Sequence, residues 1–122
     1  MTNSSTGSLD LRDPRVDPFD VARAAAEVIA RVCGTPRHDV ALVLGSGWSQ
    51  TGDLIGETVA TIDNADVPGF SSAAVAGHTG TIASVAVRGT DRRALVFGTR
   101  THYYEGHGIR SVVHAVRSAA AT

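Results

Sequence analysis

Side chains suited to binding an anion and a sugar alternate within one short stretch, FGTRTHYYEGHG at 97–108. In an extended chain Arg100, His102 and Tyr104 lie on the same face, because successive side chains point to opposite sides. A guanidinium binds phosphate through a fork of donors, and a neighbouring imidazole can donate to the same anion. Glu105 can orient that imidazole or keep it protonated. The pattern favours contact with an oxyanion and a sugar over an exposed polar turn.

Two glycine-flanked loops carry further donors. The sequence GSG at 45–47 follows an apolar run, so its free backbone N–H groups and the Ser46 hydroxyl can approach an anion. Two known nucleotide motifs do not fit this loop: Gln50 replaces the third glycine of the dinucleotide fingerprint, and the chain lacks the Gly-Lys-Ser/Thr of a phosphate-binding lysine loop. His78 lies in the second loop, GHTG at 77–80. Taken singly, the GSG loop is better explained as a tight turn, and a lone loop histidine is more often a solvated or capping group.

Composition excludes several classes of function. The five histidines show no spacing typical of metal ligands, so we predict no metal site. A net charge of -1 without a basic run favours neither a nucleic-acid nor a membrane partner, and no apolar run approaches membrane-spanning length. Cys33 is the only cysteine, and the first residues are polar. We therefore expect a cytoplasmic protein, with Cys33 as a buried filler of the core.

The elements that position these loops are predicted to be helices and short strands. Asp17-Pro18 is typical of a helix start, apolar residues then recur at helical spacing as far as Val32, and Gly34 ends the helix. The continuous apolar run at 40–44 predicts a strand buried on both faces. The last apolar pattern, 112–120, predicts a further helix.

Three more strands are predicted between these helices. Residues 82–87 and 93–97 are expected to pair as a hairpin that turns near Gly89, and residues 58–62 form a less certain strand. The chain is therefore α/β. Residues 1–16 are interpreted as a mobile polar tail, and residues 17–122 as part of one α/β domain. Because a helix after such a sheet normally returns to another strand, we expect this to be the N-terminal part of something longer.

The motifs, taken together, resemble the trimeric type of purine nucleoside phosphorylase, a family that includes the methylthioadenosine phosphorylases. The shared pieces, in chain order, are GSG at 45–47, PGF at 68–70, GHTG at 77–80 and RTHYYEG at 100–106. Their order and spacing are specific only in combination. The resemblance covers residues 18–122, less than half of the family's usual length. It implies a mixed central sheet with flanking helices that is C-terminally incomplete.

The resemblance also implies roles for individual residues. It assigns phosphate binding to Ser46, His78, Arg100 and His102. Tyr104 resembles the residue that contacts the ribose, and Glu105 matches the glutamate that supports the phosphate-binding histidine, so His102 and Glu105 are the expected catalytic pair. Two departures from the family pattern occur: Trp48 and Ser49 follow the GSG, and Thr99 replaces a glycine before the arginine.

The implied reaction is a pentosyl transfer of purine salvage. Inorganic phosphate attacks the anomeric carbon of a purine (deoxy)ribonucleoside and releases the base and (deoxy)ribose 1-phosphate, without a metal or organic cofactor. The resemblance implies a homotrimer, and we expect the 122-residue chain to be inactive alone. Two alternatives stay open: a truncated, non-catalytic module that binds phosphate or a partner, and a methylthioadenosine phosphorylase, since base selectivity would lie beyond Thr122.

Overall fold

The computed structural model describes residues 10–44, 51–70, 80–98 and 109–122. Its centre is a mixed sheet of four strands, which are β1 (Val40–Val43), β2 (Gly56–Asp63), β3 (Thr81–Val87) and β4 (Arg93–Phe97). The strand order is β1-β4-β3-β2. β1 runs parallel to β4, whereas β3 is antiparallel to both of its neighbours. The predicted class, a mixed sheet with flanking helices, is confirmed.

The first helix, α1 (Pro18–Cys33), begins and ends where the sequence predicts. The Asp17 carboxylate accepts a hydrogen bond from the backbone N–H of Phe19 at 2.9 Å, which satisfies a free amide of the first turn. At the other end Gly34 adopts a left-handed φ of 69°. The buried face includes Cys33 as expected, whereas Val32 is 46% exposed because the buried arc is shifted toward Ala22, Ala26 and Cys33.

Two apolar clusters cover the two faces of the sheet, since neighbouring residues of β4 alternate between them. Leu95 and Phe97 face α1 together with Ile82, and Val96 faces the opposite cluster with Val85. Full burial of a side chain of this size contributes about 1.5–3 kcal/mol, so the first cluster is the main attachment of helix to sheet. Helix α2 (Thr51–Ile55) contributes Ile55 to the second cluster.

The prediction that the 40–44 strand is buried on both faces is wrong for the described structure. Val40 and Val43 are 46% and 43% exposed. β1 lies at the end of the strand order, so it has one described neighbour, β4, on one side only. A continuous apolar run indicates a strand but does not indicate what covers it.

The hairpin prediction is confirmed. β3 and β4 pair in register from Ile82 opposite Phe97 to Ala86 opposite Arg93, and the turn between them contains Gly89. β2 is longer than expected and contains an irregularity between Thr58 and Ala60. A 3₁₀ turn, Asn64–Asp66, follows β2.

The predicted C-terminal helix is divided in two. Helix α3 (Ile109–Val112) and helix α4 (His114–Ala121) meet at Val113, whose φ and ψ of -96° and 2° interrupt the helical conformation. α4 buries His114 and Ser118 and leaves Val116 62% exposed. The apolar spacing therefore indicated a helix but not its buried face, because the two buried residues are polar and hydrogen-bonded.

Residues 10–16, which fall within the predicted polar tail, form two short turns beside the helices. Leu11 is buried, and the backbone carbonyl of Asp13 accepts a hydrogen bond from the Arg110 guanidinium at 3.0 Å. The domain boundary at residue 16 stays a prediction. Of the helices in the described ranges, none combines the length and apolar character needed to cross a membrane.

Candidate active site

All six residues that the sequence assigns to the site lie outside the described residues; they are Ser46, His78, Arg100, His102, Tyr104 and Glu105. The structure describes the ends of the strands, helices and turn that flank their three segments, 45–50, 71–79 and 99–108. The relative position of those ends can be read directly from backbone hydrogen bonds.

The first and third segments leave the sheet from adjacent strands. The backbone N–H of Leu44 donates to the carbonyl of Phe97 at 3.0 Å. Because β1 and β4 are parallel, their carboxyl ends lie at the same edge, about 4.8 Å apart. Leu44, the last described residue before the first segment, therefore lies beside the end of β4, and Gly98 there precedes the segment that carries the alternating arginine, histidine and tyrosine.

The second segment returns to the same edge. The backbone N–H of Gly98 donates to the carbonyl of Thr81 at 3.0 Å, and the carbonyl of Gly80 accepts from the N–H of Asn64 at 3.0 Å. A methyl group on Gly98 would lie 3.3 Å from the Thr81 carbonyl oxygen, so these strand ends are closely packed. We call this side of the sheet, marked by Leu44, Asn64, Gly80 and Gly98, the loop edge.

The PGF turn at 68–70 connects the loop edge to the second segment, and one buried histidine holds it. His114 is 1% exposed, and its Nε2 donates to the carbonyl oxygen of Pro68 at 2.7 Å. The centroid of its ring lies 4.7 Å from that of Phe70. Because a carbonyl can only accept, the hydrogen bond identifies Nε2 as the protonated nitrogen.

The environment of His114 favours the neutral imidazole. Burial lowers its pKa, the nearby charge of Arg117 lowers it further, and the Pro68 carbonyl acts in the opposite direction. Within the described part of the chain, Nδ1 is buried without a hydrogen-bond partner. Sequence reasoning missed this residue; the signal it offered was a histidine and a serine four apart, His114 and Ser118, in a helix otherwise rich in apolar residues.

A second polar cluster lies toward the opposite end of the sheet. His38 Nε2 is 2.8 Å from the hydroxyl of Ser84, which also accepts a hydrogen bond from the Arg93 guanidinium at 3.0 Å. The same guanidinium nitrogen donates to the Cys33 carbonyl at 3.3 Å. Burial chiefly lowers the pKa of His38, with a further contribution from Arg93, and burial raises the pKa of the Cys33 thiol.

This second cluster is suited to holding the sheet rather than to catalysis. Ser84 is fully buried, so no substrate can reach its hydroxyl, and Cys33 is a buried thiol with a raised pKa. In the described ranges, no group of three histidine, cysteine or acidic residues could hold a metal ion.

Comparison with known proteins identifies the relatives of the chain. A curated purine nucleoside phosphorylase of Cellulomonas sp is 55% identical in an alignment that covers 99% of this chain and 43% of that protein. The chain is a homologue of purine nucleoside phosphorylases. The Mycobacterium tuberculosis protein of the same name is 46% identical over 91% of this chain and 41% of its own length. No family model matches the chain.

Solved structures agree with the sequence comparison. Isoform 2 of the Schistosoma mansoni purine nucleoside phosphorylase, solved with cytosine and ribose-1-phosphate, has a TM-score of 0.70 and 28% identity, covering 84% of this chain and 34% of its own. The predicted resemblance to purine nucleoside phosphorylases is therefore confirmed. The chain spans about two fifths of the length of the curated relatives it matches. The roles of individual site residues stay predictions.

Proposed function

We propose that this chain is part of an enzyme that cleaves purine (deoxy)ribonucleosides with inorganic phosphate, and that it carries mainly the phosphate- and ribose-binding half of the site. The observation that supports this most is the loop edge. The hydrogen bonds from Leu44 to Phe97 and from Gly98 to Thr81 join the ends of three adjacent strands. Three segments with the expected anion-binding residues thus leave or enter the sheet side by side.

The phosphate would be bound by donors from all three segments. Ser46 and the free N–H groups around it approach from the first segment, His78 from the second, and Arg100 and His102 from the third. A charge-assisted hydrogen bond contributes about 1.5–3 kcal/mol, so two or three of them dominate the binding of the anion. No cofactor is needed, since phosphate itself is the second substrate.

The same donors would support the chemical step. A phosphate oxygen forms a bond to the anomeric carbon while the bond from that carbon to the purine nitrogen breaks, and the base leaves with the electron pair. Positive charge develops on the sugar, and a phosphate dianion held against it stabilises that charge. Tyr104 would contact the ribose, and Glu105 would orient His102 against the phosphate.

The remainder of the site lies in the part of the relatives that this chain does not match. We propose that the groups that recognise the purine come from there, and that the complete enzyme is a cytoplasmic homotrimer. A methylthioadenosine phosphorylase differs only in base and 5′ selectivity, so it stays an alternative. The exposed edge of β1, with Val40 and Val43, favours a second alternative, a non-catalytic module that binds a partner.

Release of purine base from inosine, guanosine, adenosine and methylthioadenosine, each measured with and without phosphate, tests the proposed function. The complete protein is expected to release base only when phosphate is present, and the 122-residue chain alone is expected to release none. A complete protein without phosphate-dependent release would contradict the proposal. Turnover by the 122-residue chain would show that the rest of the site is not required.

A further inference from the structure

In the chain, His114 follows one of the segments proposed to bind phosphate, and it contacts the turn that precedes another. Helix α3 starts directly after the segment 99–108, and α4 follows with His114 as its first residue. The PGF turn at 68–70 directly precedes the segment 71–79. The hydrogen bond from His114 to the Pro68 carbonyl therefore joins the exit of one segment to the entry of the other.

The contact between the histidine and the turn is closely packed. Gly69 has a φ of +82°, and a methyl group there would overlap both the His114 ring and the Val21 side chain. Phe70 covers the ring from another side and stacks on Phe97, the last residue of β4, with ring centroids 5.9 Å apart. A change in the His114 ring would therefore be transmitted to the turn and to the end of β4.

The ring of His114 is held by a hydrogen bond and by an aromatic contact. Its Nε2–H is used by the Pro68 carbonyl, and the Phe70 ring lies against it. At 1% exposure, no solvent competes for that hydrogen bond. His114 is thus the residue of α4 that is hydrogen-bonded to the turn.

We propose that His114 is a positioning residue of the proposed phosphate site, which holds the 68–70 turn against α4 and so fixes the point at which the segment that carries His78 begins. This inference rests on the proposed function. His114 does not touch substrate. A displacement of the segment that starts at residue 71 weakens phosphate binding through His78, whereas Tyr104, the proposed ribose contact, belongs to a different segment.

The chain offers matched variants for a test in the complete enzyme. Gln places its amide nitrogen where Nε2 of histidine lies, whereas Asn places its amide nitrogen at the position of Nδ1 and does not reach Pro68. His38→Leu is the control, because His38 also makes one side-chain hydrogen bond at a partly buried position, but toward the far end of the sheet. The KM for phosphate, the KM for inosine, kcat and the melting temperature are measured for each variant.

We expect His114→Asn and His114→Leu to raise the KM for phosphate about tenfold or more, since small displacements of binding groups are costly, with less than about a twofold change for inosine. His114→Gln restores most of the phosphate affinity. His38→Leu leaves the KM for phosphate unchanged even where it lowers the melting temperature equally. The proposal would be overturned if the His114 and His38 variants changed the KM for phosphate equally, or if His114→Asn left that KM unchanged.

Hydrogen exchange distinguishes this inference from the proposed function. If the wild-type protein shows no phosphate-dependent turnover, the proposed function fails, and amide exchange over residues 68–80 then decides the role of His114. Faster exchange in His114→Asn than in His38→Leu supports the positioning role. Equal exchange in the two variants contradicts it. If His114→Leu does not fold, His114→Asn and His114→Gln carry the comparison by themselves.

Discussion

The buried His114 and the partly buried His38 have similar chemistry and different consequences. His114 and His38 each make a side-chain hydrogen bond through Nε2, and burial lowers the pKa of both. The partner of His38 is the side chain of Ser84, within β3. The partner of His114 is the backbone carbonyl of a turn that leads away from the sheet. The contact of His38 joins the residues just before β1 to β3, within the sheet. The contact of His114 joins α4 to the 68–70 turn, which lies outside the sheet.

The two ends of the sheet differ in the same way. Away from the loop edge, β3 and β4 are joined by a short turn in which the N–H of Val87 donates to the Arg92 carbonyl and the Thr90 hydroxyl to the Val87 carbonyl, both at 3.0 Å. The loop edge instead connects to three longer segments. This difference is typical of α/β proteins, in which the binding residues lie on loops at one edge of the sheet.

The largest expected effect on stability is that of Gly69→Ala, at the turn held by His114. A methyl group there overlaps the His114 ring at a backbone φ of +82°, so we expect the free energy of unfolding to fall by about 2–4 kcal/mol. Gly34→Ala is the matched control: φ is +69° and nothing lies within 4 Å, so about 1 kcal/mol of backbone strain is expected. Chemical denaturation of the complete protein measures both, and equal losses would contradict the packing of His114 on the turn.

A smaller effect is expected from Ser84→Ala at the other histidine. The change removes the hydroxyl shared by His38 and Arg93 and leaves two polar groups with one partner fewer, at a cost of about 1–3 kcal/mol. We expect no change in the KM for phosphate. A clear rise in that KM, measured at a temperature where the variant is folded, would show that the two ends of the sheet are not functionally separate.

The smallest effect is the dependence of stability on pH. Both imidazoles have a lowered pKa in the folded protein. In the unfolded chain a histidine has its ordinary pKa of about 6.5, so below that pH the unfolded chain binds more protons than the folded protein does. The contribution of the two neutral imidazoles to stability is therefore present above about pH 6.5 and is lost as the pH falls toward the folded pKa. Denaturation between about pH 7.5 and pH 5.5 measures this slope, which should be shallower in His38→Gln and in His114→Gln. Stability that rises on acidification would contradict imidazoles that are neutral in the folded protein.

Sequence reasoning succeeded where the structure is determined locally. Asp17 and Gly34 end α1 through contacts and backbone angles within a few residues, and the turn at Gly89 is set by its neighbours. It was less successful where distant residues decide burial. The donor on His114 is satisfied by Pro68, 46 residues earlier in the chain, so an apolar pattern along α4 could not indicate that a histidine is buried.

The candidate site shows the same division. Residue types and alternation predict an anion-binding stretch at 97–108, but they do not say which strand lies next to it. The strands that precede this stretch and the GSG loop are brought together by the parallel pairing of β1 with β4, which joins residues 54 apart at Val40 and Ala94. The residue pattern along the chain did not indicate that pairing. The exposure of β1 could not be predicted, because a strand's apolar residues do not identify the element that covers them.

The central claim is that segments from neighbouring strands meet around one phosphate ion. A double-mutant cycle tests it most directly: phosphate binding by the complete protein is measured by calorimetry for wild type, Ser46→Ala, Arg100→Ala and the double variant. We predict that both single variants weaken binding, Arg100→Ala more strongly, and that the double variant differs from their sum by about 0.5 kcal/mol or more, as groups sharing one ligand do. If either single variant binds phosphate as wild type does, or the two losses simply add, Ser46 and Arg100 do not share that ion.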